Sequence, residues 1–152
     1  MSIRNLSAKA KIRIRRSPPE VFAAFADAEK MSKFWFSRRD DGLVEGETLM
    51  WYLGAGPDAY SFEIQVKEIR EAKRIVIDWQ GLDGHYTQVA WEFEEEDDGD
   101  TVLTIEETGF SGDEESIVAQ VVDSARGFNQ VIVAAKALVE HGIELNVVAD
   151  HA

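Results

Sequence analysis

SGDEESIVAQVVDSARGFNQVIVAAKALVEHG, Ser111 to Gly142, decides the fold. Val118, Val121, Val122, Ala125, Phe128, Ile132, Ala135 and Val139 recur at spacings of three and four, which predicts one long helix with an apolar stripe. Ser111-Gly112-Asp113-Glu114 offers a cap with acids in the first turn, and Gly142 after His141 offers a stop. The helix is expected over roughly residues 113 to 141, about 42 Å at 1.5 Å per residue. A helix that long with a single apolar stripe needs a sheet to lie on. Within it, Gly127 lowers helical propensity by about 1 kcal/mol relative to Ala. Either a close approach of the backbone to Trp35 or a ligand, or a slight bend around the sheet, accounts for it.

Upstream, the periodicity changes from helical to twofold. Leu103 and Ile105 share one face, as do Thr87, Val89, Trp91 and Phe93, opposite Gln88, Glu92 and Glu94. Ile75, Ile77 and Trp79 form another set; Tyr60, Phe62, Ile64 and Val66 another; Leu49, Trp51 and Leu53 another. Turn signals separate them at Asp41-Gly42, Gly54 to Asp58, Glu71-Ala72-Lys73, Gly81 to Gly84 and Asp97 to Asp100. Short connections between such strands predict an antiparallel meander, buried on one face. At the start, Ala8, Ala10, Ile12 and Ile14 alternate with Lys9, Lys11, Arg13 and Arg15. Ser17-Pro18-Pro19-Glu20 then reads as a capping box with proline in the first turn, and Asp27 as a second N-cap, for a short helix ending near Phe34-Trp35-Phe36. The expected fold is α+β: a curved antiparallel sheet of six or seven strands around a long C-terminal helix, with two short helices after the first strand.

The 152 residues suit a single domain, residues 1–152. Sixteen Lys plus Arg against 29 Asp plus Glu give a net charge of -13, which disfavours nucleic acid and anionic membrane surfaces. The absence of cysteine excludes disulfides, thiolate metal sites and cysteine nucleophiles. Without an apolar signal segment or spanning run, a cytoplasmic location is expected. Basic residues concentrate before residue 17, and residues 75 to 125 carry acids and no Lys or Arg. If the first strand pairs beside the last, Lys9, Lys11, Arg13 and Arg15 meet acids such as Glu106 across the sheet's outer face.

The element order resembles the START-like helix-grip (SRPBCC) superfamily, and within it the group related to the C-terminal domain of the Hsp90 ATPase activator Aha1. The resemblance covers nearly the whole chain. It is carried by Ser17 to Phe25 at the first helix, Trp35, Val44-Glu45-Gly46-Glu47, Arg74 to Trp79, Gly99 to Thr104, and Gly127-Phe128 with Leu138. Family members usually have Gly-Trp at Gly127-Phe128 and often a second Gly beside Gly46. The resemblance implies a cavity between sheet and helix. Some members bind lipids, sterols or aromatic metabolites, some are cyclases or hydrolases, and some act as interaction domains.

No catalytic residue, metal site or cofactor motif emerges from the residues themselves. His85, His141 and His151 have no ligand spacing, the acids from Glu92 to Asp100 lack the pattern of a calcium loop, and no serine occupies a nucleophile elbow. The aromatic stock is the remaining signal. Alternation and helical phase aim Trp51, Tyr60, Phe62, Trp79, Trp91, Phe93 and Phe128 inward, where such rings either fill a core or line a ligand cavity. The candidate ligand-binding set is Trp35, Trp51, Tyr60, Phe62, Trp79, His85, Trp91, Phe128 and Asn129, with Tyr60, His85 and Asn129 as its polar groups. Two functions remain: binding of an apolar or aromatic metabolite or lipid, or a protein-interaction module whose acidic surface suits a partner with a basic patch.

Overall fold

A computed structural model describes residues 5–39, 42–81 and 84–151. The chain runs β1 (Ala8–Ile14), α1 (Pro18–Ala26), α2 (Ala28–Met31), β2 (Arg38–Arg39), β3 (Thr48–Leu53), β4 (Tyr60–Arg70), β5 (Arg74–Gln80), β6 (Tyr86–Glu95), β7 (Thr101–Thr108) and α3 (Glu114–His141). A single 3₁₀ turn, Gly56–Asp58, joins β3 to β4. The strands form one antiparallel sheet in the order β1-β7-β6-β5-β4-β3-β2. A bulge between Val66 and Glu68 locally bends β4.

β1 closes beside β7 because its alternation matches. Ala8, Ala10 and Ile14 are buried, while Lys9 sits opposite Glu106 at 3.8 Å. Arg13 reaches Asp98 and Asp100 in the β6–β7 turn. The expected basic stripe beside the last strand is therefore present, and its exposed pairs contribute little each.

α3 is bounded by its own chemistry. The Asp113 carboxylate accepts from the Ser116 N–H at 2.8 Å, and Gly142 ends the helix in the left-handed region at φ 65°. Its buried face differs from the expected stripe. Ile117, Phe128, Val131, Ile132 and Ala135 face the sheet, whereas Val118 and Val122 point to solvent. Each valine follows an inward residue, Ile117 or Val121, and one residue turns the helix by about 100°.

Two local expectations need correction. Ser17 precedes α1, but its hydroxyl donates to the Glu20 carboxylate instead of accepting a backbone N–H, so no capping box forms. α2 is a single turn ending at Met31, continued to Trp35 by turn-type bonds, from the Lys33 N–H to the Lys30 carbonyl and from the Phe34 and Trp35 N–H groups to the Met31 carbonyl. Its N-cap is Asp27, as expected, accepting from Glu29 and Lys30. The two-residue β2 was not expected. Its buried Arg39 donates to the Phe25 and Ala26 carbonyls that end α1. Of the expected turns, Asp41, Leu82 and Asp83 lie outside the described residues. No helix among the described residues is long and apolar enough to cross a membrane.

Candidate functional site

A cavity of about 660 Å³ opens between the middle of α3 and the ends of β3, β4 and β5. That volume falls within the range of small-molecule sites. Trp35 and Phe36 enter it from the segment after α2, Leu53 from β3, Phe62 from β4 and Trp79 from β5. Phe128 and Val131 come from α3. Val147 and Val148, beyond α3, cover part of the mouth. Asp58, Tyr60, Asp123, Ser124, Gln130 and His151 add the polar groups.

The rings hold one another in place. Trp79 stacks on Phe128, centroids 5.8 Å apart and planes 11° from parallel. Trp35 meets both edge-on, at 6.1 Å each. Phe36 packs against Phe62 at 5.7 Å and against Trp51 at 4.9 Å. Edge and offset contacts suit ring quadrupoles, so the wall is ordered before any ligand arrives.

Behind Trp79 lies a buried acid. The Trp79 Nε1–H donates to the Thr87 hydroxyl at 2.9 Å and to Glu107 Oε2 at 3.0 Å, and the Thr87 hydroxyl donates to the same oxygen. Glu107 is 4% exposed, and its Oε1 has no hydrogen-bond partner. It continues the inward face of Thr101, Leu103 and Ile105. Extending that alternation by one step would have found it.

The structure brings Trp35, Tyr60, Phe62, Trp79 and Phe128 to the cavity. Trp51 and Trp91 lie deeper, each 1% exposed in the core, and their indole N–H groups are buried without acceptors. His85 and Asn129 are exposed and are not cavity residues. His85 precedes the first residue of β6, so strand alternation does not govern it; its carbonyl accepts from the Gly81 N–H. Asn129 is turned away from Phe128 by one helical step and donates to the Ala125 carbonyl at 2.7 Å. Phe36, Leu53, Asp58, Asp123, Ser124, Gln130, Val131, Val147, Val148 and His151 were not in the expected set.

Gly127 also lines the cavity. A Cβ added there meets nothing within 4 Å. Close backbone approach is therefore not the reason for this glycine; its missing side chain adds to the open space. A second depression of about 830 Å³ lies outside the sheet–helix layer, between α1, α2 and the β4–β5 turn. It lacks the ring wall, and its Arg39 already serves the end of α1. No group of three or more His, Asp or Glu among the described residues is arranged to hold a metal ion.

An antiparallel sheet gripping one long helix, with a ring-lined cavity between them, defines a helix-grip domain of the START-like type. The chain belongs to the family described as activator of Hsp90 ATPase homolog 1-like protein, whose profile matches residues 15–140. Among solved structures, protein SSP2350 from Staphylococcus saprophyticus is similar at a TM-score of 0.77 and 25% identity, over 93% of this chain and 96% of that one. The Aha1 dimer from Colwellia psychrerythraea matches at 0.74 and 14% identity, over 90% and 98%. DynU16, from the dynemicin biosynthetic locus, matches at 0.75 and 18% identity, over 91% of this chain and 48% of that one. No curated protein matches the chain.

Proposed function

We propose that this protein is a small-molecule binding domain whose cavity takes an apolar or aromatic metabolite or lipid. The observation that carries this reading is the open volume of about 660 Å³ walled by Trp35, Phe36, Phe62, Trp79 and Phe128. The outer depression is larger but has no such wall, so the convergent rings and not the open volume alone set this cavity apart. Rings that already hold one another offer a planar ligand a large contact area at low entropic cost.

Titration with the neutral fluorescent probe N-phenyl-1-naphthylamine tests the reading. Gly127 lines the cavity and a Cβ added there meets nothing within 4 Å, so Gly127→Phe is the substitution chosen to put a ring into the open space. The parent protein should bind the probe, and Gly127→Phe should weaken binding by about tenfold or more while the melting temperature holds. Probe binding unaffected by Gly127→Phe would place the ligand elsewhere. The second reading, a module for a protein partner with a basic patch, draws on the family's name and on the net charge of -13. It takes precedence if the cavity binds no probe and native mass spectrometry of the purified protein shows no carried small molecule.

A further inference from the structure

The cavity's charge is one-sided. Asp58 and Asp123 stand at its rim, and none of the described residues that line it is Lys or Arg. Asp123 shares its charge with Arg126 at 3.2 Å, whereas Asp58 makes no ion pair among the described residues. Tyr60 and His151 are the other ionisable side chains among the described residues at the mouth.

The inner wall adds to this. Trp79 donates its Nε1–H to the Glu107 carboxyl, and a hydrogen bond of that kind polarises the indole toward a more electron-rich ring. The second oxygen of that carboxyl, which holds the edge of the Trp79 ring, is buried without a partner. The faces of Trp35, Trp79, Phe62 and Phe128 carry the negative side of the ring quadrupole. A cation near such faces is attracted, most strongly by tryptophan, and an anion is repelled. The chain's net charge of -13 raises the concentration of cations around the mouth in the same sense.

We propose that the cavity selects planar aromatic cations, such as aryl-alkyl amines or protonated nitrogen heterocycles, over neutral and anionic rings of the same shape. This rests on the ligand-binding reading above. Each acid alone is ordinary; the inference comes from Asp58 and Asp123 at the rim of an open aromatic cavity, together with a buried carboxyl bonded to the indole N–H of one of its rings.

Three probes of one shape test it: 2-(1-naphthyl)ethylammonium, 1-ethylnaphthalene and 1-naphthylacetate. Their affinities are compared by tryptophan fluorescence at about pH 8, above the ordinary imidazole range. The cation should bind about three- to thirtyfold more tightly than the neutral probe, with the anion weakest. The double variant Asp58→Asn/Glu107→Gln should lower the cation-to-neutral ratio by about twofold or more, with Asp123 and the ring faces left in place, while the introduced side-chain amide still offers Trp79 an acceptor oxygen. Equal or tighter binding of the neutral or anionic probe overturns the selectivity and leaves the cavity reading standing. So does a ratio that survives the double variant. Binding of none of the three removes the ligand reading, and this selectivity with it.

Discussion

Glu107 occupies a position where alternation along β7 would otherwise place an aliphatic side chain. One oxygen takes two hydrogen bonds and the other takes none. An unpartnered buried acceptor costs about 1–3 kcal/mol, and replacing it with an apolar group of similar shape removes that cost. Glu107→Leu removes that cost but also takes away the acceptor shared by the Trp79 N–H and the Thr87 hydroxyl, so the two effects oppose and urea unfolding should show a net change of no more than about 1–2 kcal/mol. It should also weaken binding of the cationic probe. A loss of stability together with unaltered binding would make Glu107 a purely structural residue. Trp79 and Phe128 were legible because each sits inside a regular run. His85 and Asn129 fall outside the cavity because the run governing one has not yet begun, and the other lies a helical step from the inward face. Glu107 was missed because an acid on an inward face was not carried forward from Leu103 and Ile105.

At the scale of elements, the end of α3 is clamped to the β1–α1 connection through Glu140. Its Oε2 accepts from the Arg15 N–H at 2.8 Å and from the Lys136 ammonium, while Arg16 donates to the Glu140 carbonyl at 2.7 Å. Burial pushes the Glu140 carboxyl up, but the Arg15 N–H and the Lys136 ammonium hold it below its ordinary value. A value lower in the folded than in the unfolded state gives stabilisation that is fully present above the ordinary carboxylate range. It is lost as pH falls through that range toward the lower folded value. Glu140→Gln should cost about 1–3 kcal/mol at neutral pH, and the difference from the parent should shrink as pH drops below about 4. A difference independent of pH would show that shape, not charge, holds the clamp. The bounds of α3 were legible because Asp113 and Gly142 act locally. Its inward face was legible at Val121, Ala125 and Phe128 but blurred at Val118 and Val122, which have the same side chain as the inward Val121. The unformed capping box at Ser17 shows the same limit: a local motif names the partners, and side-chain geometry decides which bond forms.

Across the whole molecule, the closure of β1 beside β7 followed from two patterns that agree. Alternation buries Ala8, Ala10 and Ile14, and the basic stripe on the other face of β1 finds Glu106, Asp98 and Asp100 beside it. The cavity was legible as a class of site, because inward rings on β4 and β5 and on α3 converge wherever a sheet grips a helix. Its mouth was not, because Val147, Val148 and His151 lie in an irregular segment with no period to read. Nor did periodicity separate the four tryptophans, two of which line the cavity while two fill the core beneath. That division supplies the most direct test of cavity binding. In ¹⁵N-labelled protein, the indole N–H signals of Trp35, Trp51, Trp79 and Trp91 are followed during titration with N-phenyl-1-naphthylamine. The Trp35 and Trp79 signals should move most, those of Trp51 and Trp91 far less, and Gly127→Phe should suppress the change. Stationary Trp35 and Trp79 signals, with shifts instead around Phe22, Asp27 and Glu71, would put the ligand in the outer depression and contradict the cavity as the binding site.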